Sequence, residues 1–355
     1  MEKIKIGISI GDMNGIGLEI ILKTLDEKRV RDKFLPVIYG SSKVVAYHKN
    51  MISMDDINFA GIRPGEPFKE HQINVINCWQ EDTQIEIGAV TEQGGRFAGL
   101  SLDQATKDLK EGVIDALVTA PIHKKAMQLS GFRFPGHTEF LTHAFETKES
   151  LMLMCSESLK VGLVTNHVPI GEVAPLITRE RLKNKLSIFN RTLKIDFGIE
   201  RPSIAVLGLN PHASDEGVIG EEEEKIITPL IIEAKKQGIG AMGPYPADGF
   251  FGNGMYKKFD GVLAMYHDQG LVPFKALSFG NGINFTAGLE GIRTSPDHGT
   301  AHDIAGKGIA NPSSFRNAVF LALDIARQRK SYYDMHQNPV KKSKQHSERS
   351  GKKSK

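Results

Sequence analysis

Short apolar, β-branched runs alternate with amphipathic stretches along most of this chain, and that alternation confines it to one architectural class. Residues 5–10, 36–39, 73–77, 116–120, 151–155, 160–165, 203–209 and 261–266 read as strands. Between them 15–25, 94–110, 179–192, 221–236 and 313–329 carry apolar residues at helical spacing, the last opened by Asn311, Pro312 and Ser313. Strands alternating with helices predict an α/β protein with a mostly parallel sheet, since parallel neighbours need a crossover connection. A chain of 355 residues exceeds one small core and suits two lobes. Glycine gathers in 243–254 and 280–299, where long irregular loops carrying function are expected.

Several function classes fall away on composition. Two cysteines, Cys78 and Cys155, with no Cys-x-x-Cys pair, argue for a reducing compartment and against a disulfide scaffold or a thiolate zinc site. The first ten residues alternate charge with β-branched residues and are too interrupted for a signal peptide, and no apolar run approaches the roughly 20 residues that span a bilayer. A cytoplasmic protein with no membrane partner is expected. The net charge of +3 misleads, because residues 341–355 hold six lysines and one arginine against one glutamate. That +6 leaves −3 on the body, and 336–355 are expected to form a disordered basic tail. It has no aromatic ring for base stacking, so no nucleic-acid partner is expected.

Three histidines, His167, His212 and His267, each stand where a strand-like run gives way to a polar turn. Ligands of open parallel sheets bind beyond the carboxyl ends of the strands, so imidazoles delivered there point to one metal site. Their separation excludes a helical or knuckle-type chelate and requires the fold, or a dimer, to unite them. Taken singly, each could instead hydrogen-bond a loop carbonyl and do nothing more. The turn after the first strand, Gly11 to Gly17, fails the Gly-x-Gly-x-x-Gly fingerprint because Ile20 occupies the last glycine position. Its glycines either offer N–H groups to an anion or pack a tight turn against the sheet. Gly136-His137-Thr138-Glu139 opens a further helix whose free amides, imidazole and hydroxyl suit a phosphate or carboxylate, unless Thr138 merely caps it. From His267 to Asp303, Asp268, Lys275, Asn284, Arg293, Asp297, His298 and His302 crowd among glycines, which suits an anion clamp better than a solvated loop.

In order along residues 1 to about 330, these segments resemble the 4-hydroxythreonine-4-phosphate dehydrogenase family of vitamin B6 biosynthesis. The resemblance rests on the Gly11–Gly17 turn, Thr119-Ala120-Pro121-Ile122, Gly136-His137-Thr138-Glu139, Asn210-Pro211-His212-Ala213, Tyr266-His267-Asp268-Gln269-Gly270 and the run from Arg293 to Ala301. One departure is Asp12-Met13-Asn14, where the family usually has Asp-Pro-Ala. The resemblance implies a two-lobed fold like isopropylmalate dehydrogenase, with a cleft between the lobes. Residues 1–130 plus 270–335 would form the first lobe and 131–269 the second. It implies a homodimer that completes each site, with His167, His212 and His267 holding one divalent metal, the third supplied by the partner. Zinc suits three imidazoles, as do cobalt, nickel and iron, and magnesium is a further candidate. By the same matches His137, Thr138, Lys275, Asn284 and Arg293 contact substrate.

The activity so implied is oxidation of 4-phosphooxy-L-threonine at C3 by NAD, or NADP, followed by decarboxylation to 3-amino-2-oxopropyl phosphate on the way to pyridoxal 5'-phosphate. The metal would lower the pKa of the alcohol. Asp248 and Asp268 are the candidates for proton transfer or for orienting a ligand imidazole, and Lys275, a further catalytic candidate, would with Arg293 hold phosphate or carboxylate. No residues are assigned to the cofactor. Three alternatives remain: a dehydrogenase of the same fold acting on erythronate or threonate 4-phosphate, a metal-dependent phosphate-ester hydrolase or lyase with no redox step, and a non-catalytic phosphometabolite-binding protein.

Overall fold

The computed structural model describes residues 3–337. The expected basic tail lies outside the described residues, save His336 and Gln337, which close the last helix. Twelve strands form one sheet: β1 (Lys5–Ser9), β2 (Leu35–Gly40), β3 (Phe59–Ile62), β4 (Ile73–Asn77), β5 (Ala116–Thr119), β6 (Leu151–Cys155), β7 (Lys160–Leu163), β8 (Ser203–Leu207), β9 (Gly240–Tyr245), β10 (Gly261–Ala264), β11 (Ile283–Ala287) and β12 (Arg293–Pro296). Their order is β3-β4-β2-β1-β5-β12-β11-β6-β7-β10-β8-β9.

Two parallel blocks meet at an antiparallel seam. The first runs from β3 to β12 and the second from β7 to β9, while β11 and β6 between them pair antiparallel with every neighbour. Direction therefore reverses across the seam. The chain leaves β1 for β2 on one side and returns to β5 on the other, which makes the β1–β5 crevice a topological switch point.

Helices cover both faces, so alternate residues of a strand enter different cores. In β8, Ile204 and Val206 join the large core, and Ala205 and Leu207 join a second one with Phe250 and Phe274. Burial on both sides explains why these strands read as continuous apolar runs. The helices that matter for the site are α1 (Gly17–Asp26), α2 (Ser42–Met51), α3 (Glu92–Lys110), α4 (Lys124–Leu129), α5 (His137–Ala144), α6 (Arg179–Ile195), α7 (Thr228–Lys236), α8 (Ala247–Gly252), α9 (His267–Ser278) and α10 (Ser313–Gln337).

The expected loops at 243–254 and 280–299 are corrected by the structure. The first segment holds the end of β9 and all of α8, and the second holds β11 and β12. β9 is the sheet's last strand, where Gly240, Gly243 and Pro244 are tolerated because one edge needs no ladder partner. β12 reads as polar, Arg-Thr-Ser-Pro, yet all four residues are buried. Its polar groups find partners in the fold: Thr294 Oγ1 donates to the Ala318 carbonyl at 2.8 Å.

Candidate active site

β7, β10 and β8 are adjacent and parallel, so their carboxyl ends leave the sheet together. His167 follows β7, His267 opens α9 directly after β10, and His212 lies in the short turn Pro211–Ser214 after β8. The His167 and His267 rings come to 5.7 Å between centroids. Nδ1 of His267 lies 2.7 Å from Asp268 Oδ1, an arrangement that puts the proton on Nδ1 and frees Nε2 as a ligand atom. Burial, followed by the nearby Lys124 ammonium, lowers the pKa of His167 despite Glu139, and so favours the neutral, ligating form.

His212 is not in ring contact with either. It begins a run of five non-glycine residues, His212 to Glu216, with φ between 47° and 73°. Left-handed backbone costs roughly 1–2 kcal/mol per residue, so something must hold this turn. Buried Glu223 does, accepting the N–H groups of Leu209 at 2.6 Å and Asn210 at 2.8 Å. Among the described residues no group of three or more His, Cys, Asp or Glu side chains is placed to hold a metal ion.

A second cluster centres on Arg293, which is 2% exposed. Burial pushes its guanidinium down to about 9, still charged at neutral pH, and Glu139 nearby favours the charge. No carboxylate bonds to it among the described residues. His137 and Thr138 open α5, whose N-cap is Gly136 and offers no side chain to the first-turn amides. Nε2 of His137 is buried without a partner, and burial followed by the Arg293 charge holds its pKa well below the ordinary value. Oδ1 of Asn284 is likewise buried and unpartnered; it shares a face of β11 with Thr286, which bonds Arg293. The structure thus brings His137 within electrostatic reach of the buried Arg293 and sets Asn284 on the strand face that bonds it, while Thr138 follows His137 on α5. It does not do the same for the remaining candidates. Lys275, Asp248 and Asp268 are exposed, and none is hydrogen-bonded or ion-paired to the Arg293 cluster.

The first-turn glycines pack rather than cradle. The N–H groups of Asp12, Asn14, Gly15 and Ile16 bond to Pro121 O, Asp12 Oδ1, Asp12 O and Thr300 O. Gly11 has φ +66°, and a Cβ there would sit 2.2 Å from the Pro121 carbonyl oxygen. What lines this crevice is Asp12 and His123, to which sequence reasoning assigned no role, and His302, which it placed in an anion clamp. Asp12 is fully buried; its Oδ2 lies 3.3 Å from Nε2 of His302, whose ring stacks on His123 at 4.9 Å and 15°. Burial raises the pKa of Asp12, and the Asn14 N–H and the His302 charge partly offset it. Only the topology identifies this place, since the crevice needs the strand order. Through Lys124, electrostatics couple the His123–Lys124 segment to His167, and Glu139 to both His167 and Arg293.

An open α/β sheet with a buried arginine that no carboxylate bonds, a histidine pair at strand ends and a switch-point crevice fits an enzyme acting on a small molecule. Residues 32–322 match the family model described as Pyridoxal phosphate biosynthetic protein PdxA, and the chain belongs to that family. It is 46% identical over 342 residues to 4-hydroxythreonine-4-phosphate dehydrogenase from Bacteroides thetaiotaomicron, covering 96% of this chain and 94% of that protein. It is 40% identical to a putative D-threonate 4-phosphate dehydrogenase from Oceanobacillus iheyensis, covering 90% and 97%. The crystal structure of 4-hydroxythreonine-4-phosphate dehydrogenase from Klebsiella pneumoniae superposes with a TM-score of 0.80 at 36% identity, over 92% of this chain and 98% of that one. The expected family, α/β fold and oxidoreductase class are all borne out.

Proposed function

We propose that the chain oxidises 4-phosphooxy-L-threonine at C3 with NAD, or NADP, and decarboxylates the product to 3-amino-2-oxopropyl phosphate. The observation that carries this reading is the buried Arg293, which has no carboxylate partner, beside the buried, unpartnered nitrogen of His137. Such a pocket fits a substrate phosphate. The family and its named dehydrogenases support the rest. A bound nicotinamide would accept the hydride from C3, and on the protein's side the hydroxyl proton passes to an acceptor, with Asp248 and Asp268 as candidates. The β-keto acid then loses carbon dioxide, and the carbon left behind takes a proton. The cofactor would lie in the β1–β5 crevice, against Asp12, His123 and His302.

Neutral imidazoles and an aspartate that orients one of them suit a divalent metal, so His167 and His267 would hold it with His212, one of the three coming from a partner subunit. Such an ion supplies Lewis acidity at the reacting oxygen. Lys275 adds a second cation for the substrate's anionic groups. In the same reading the lobes are 1–130 plus 270–335 and 131–269, the second dimerising, and the enzyme works in the cytoplasm.

The test is NADH formation on 4-phosphooxy-L-threonine, after chelation and again with metal restored, beside D-threonate and D-erythronate 4-phosphates. The highest kcat/KM is expected for the amino acid, and only with metal. A higher kcat/KM for a hydroxy acid moves the chain to the activity named for the Oceanobacillus relative. Phosphate release without NADH points to a hydrolase or lyase.

A further inference from the structure

Arg293 is seated on hydroxyls alone. Thr119 Oγ1 accepts from its Nε at 3.1 Å and its Nη2 at 2.7 Å, and Thr286 Oγ1 accepts from Nη1 at 3.0 Å. Both threonines are fully buried, on β5 and β11, the strands that flank β12. Register puts them there: Arg293 pairs with Leu117, two residues before Thr119 on the same face of β5, and Phe285 pairs with Thr294, which sets Thr286 beside Arg293. A guanidinium has five N–H donors, so three bonds fix its plane and leave two for a ligand. Neither threonine hydroxyl hydrogen has a protein acceptor among the described residues.

The chemistry of this seat differs from the usual way of fixing a buried arginine. A carboxylate would orient the guanidinium equally well but cancel its charge. A hydroxyl is neutral, so it orients the fork and leaves the positive charge whole. We propose that Thr119 and Thr286 are positioning residues that hold Arg293 flat with no carboxylate bonded to it, and so set the affinity for the substrate's phosphate. The proposal rests on the anion site above and deepens it.

The test measures binding of inorganic phosphate to the full chain by calorimetry, together with KM and kcat. Thr119→Val and Thr286→Val keep shape and remove the acceptor. Each is expected to raise the phosphate Kd and the substrate KM by roughly tenfold or more, the size of a lost charge-assisted bond, with kcat near wild type. Thr119→Ser and Thr286→Ser are expected to restore both. Thr119→Ala and Thr286→Ala, which add no bulk, carry the same expectation if a valine variant misfolds. Unchanged phosphate binding in the hydroxyl-free variants overturns the proposal, as does serine failing to rescue or a wild type that binds no phosphate. Phosphate binding is read without cofactor or turnover. A chain that binds phosphate through this seat but never reduces NAD would refute the proposed reaction and leave the seat standing.

Discussion

His48 shows what burial costs a titratable side chain. It lies on α2 and is 1% exposed, and neither the Met13 backbone nor Glu19 beside it offsets that burial. Burial pushes its pKa down to about 4 from an ordinary 6.5. The unfolded chain therefore takes up a proton below about pH 6.5 that the folded chain refuses until about pH 4. Stability is unaffected above that window and falls as pH drops through it. Urea midpoints measured from pH 7 to pH 4.5 should decline, and His48→Leu should flatten the part of the slope that His48 causes. Parallel slopes for variant and wild type would show that His48 takes up its proton equally in the folded and unfolded states. At this scale the sequence was uneven evidence. His137, Asn284 and Arg293 stood out in the sequence because each is a polar residue beside a glycine-marked turn or among clustered glycines. Thr119 and Thr286 did not, because a threonine in a strand looks the same whether or not an arginine leans on it.

Elements show the same division for a different reason. β4 and β6 end where period and composition place them, and the expected helix at 94–110 is α3 begun two residues early. The helix expected at 221–236 is instead a π turn, Glu223–Ile227, running into α7. Pro229 explains it, since a residue without an N–H cannot continue the α-helical ladder at that point. β11 and β12 escaped notice because glycines surround them and their polar residues, Asn284, Thr286, Arg293, Thr294 and Ser295, break the apolar pattern of a strand. Glycine also governs how α3 meets α4. A Cβ on Gly95 would lie 2.0 Å from the Ala126 carbonyl oxygen, backbone that cannot yield. Gly95→Ala should push α4 away, cost about 1–3 kcal/mol as overpacking does, and displace His123 at the head of α4. A lower Tm together with a raised KM for NAD is the expected pair. Loss of stability with an unchanged cofactor KM would place the crevice's cofactor elsewhere.

For the whole molecule, the two blocks are one hydrogen-bonded sheet, and the passage from one to the other is β12-β11-β6 rather than a linker. We expect a cleft framed by such a sheet to act as a torsion bar: its width would change as the strands wind or unwind against one another, a strain shared along many ladder bonds rather than taken up by one loop. Amide exchange gives this a measurable form: the amides of β11 should be among the slowest in the protein and stay so with or without bound ligand, while the turns after β7 and β8 slow on binding. Rapid exchange in β11 of the free enzyme would mean that the seam itself breaks when the cleft opens. The same mechanics link distant mutations to the chemistry, because any substitution that alters the winding of the seam resets the distance between Arg293 and the histidine pair without touching either.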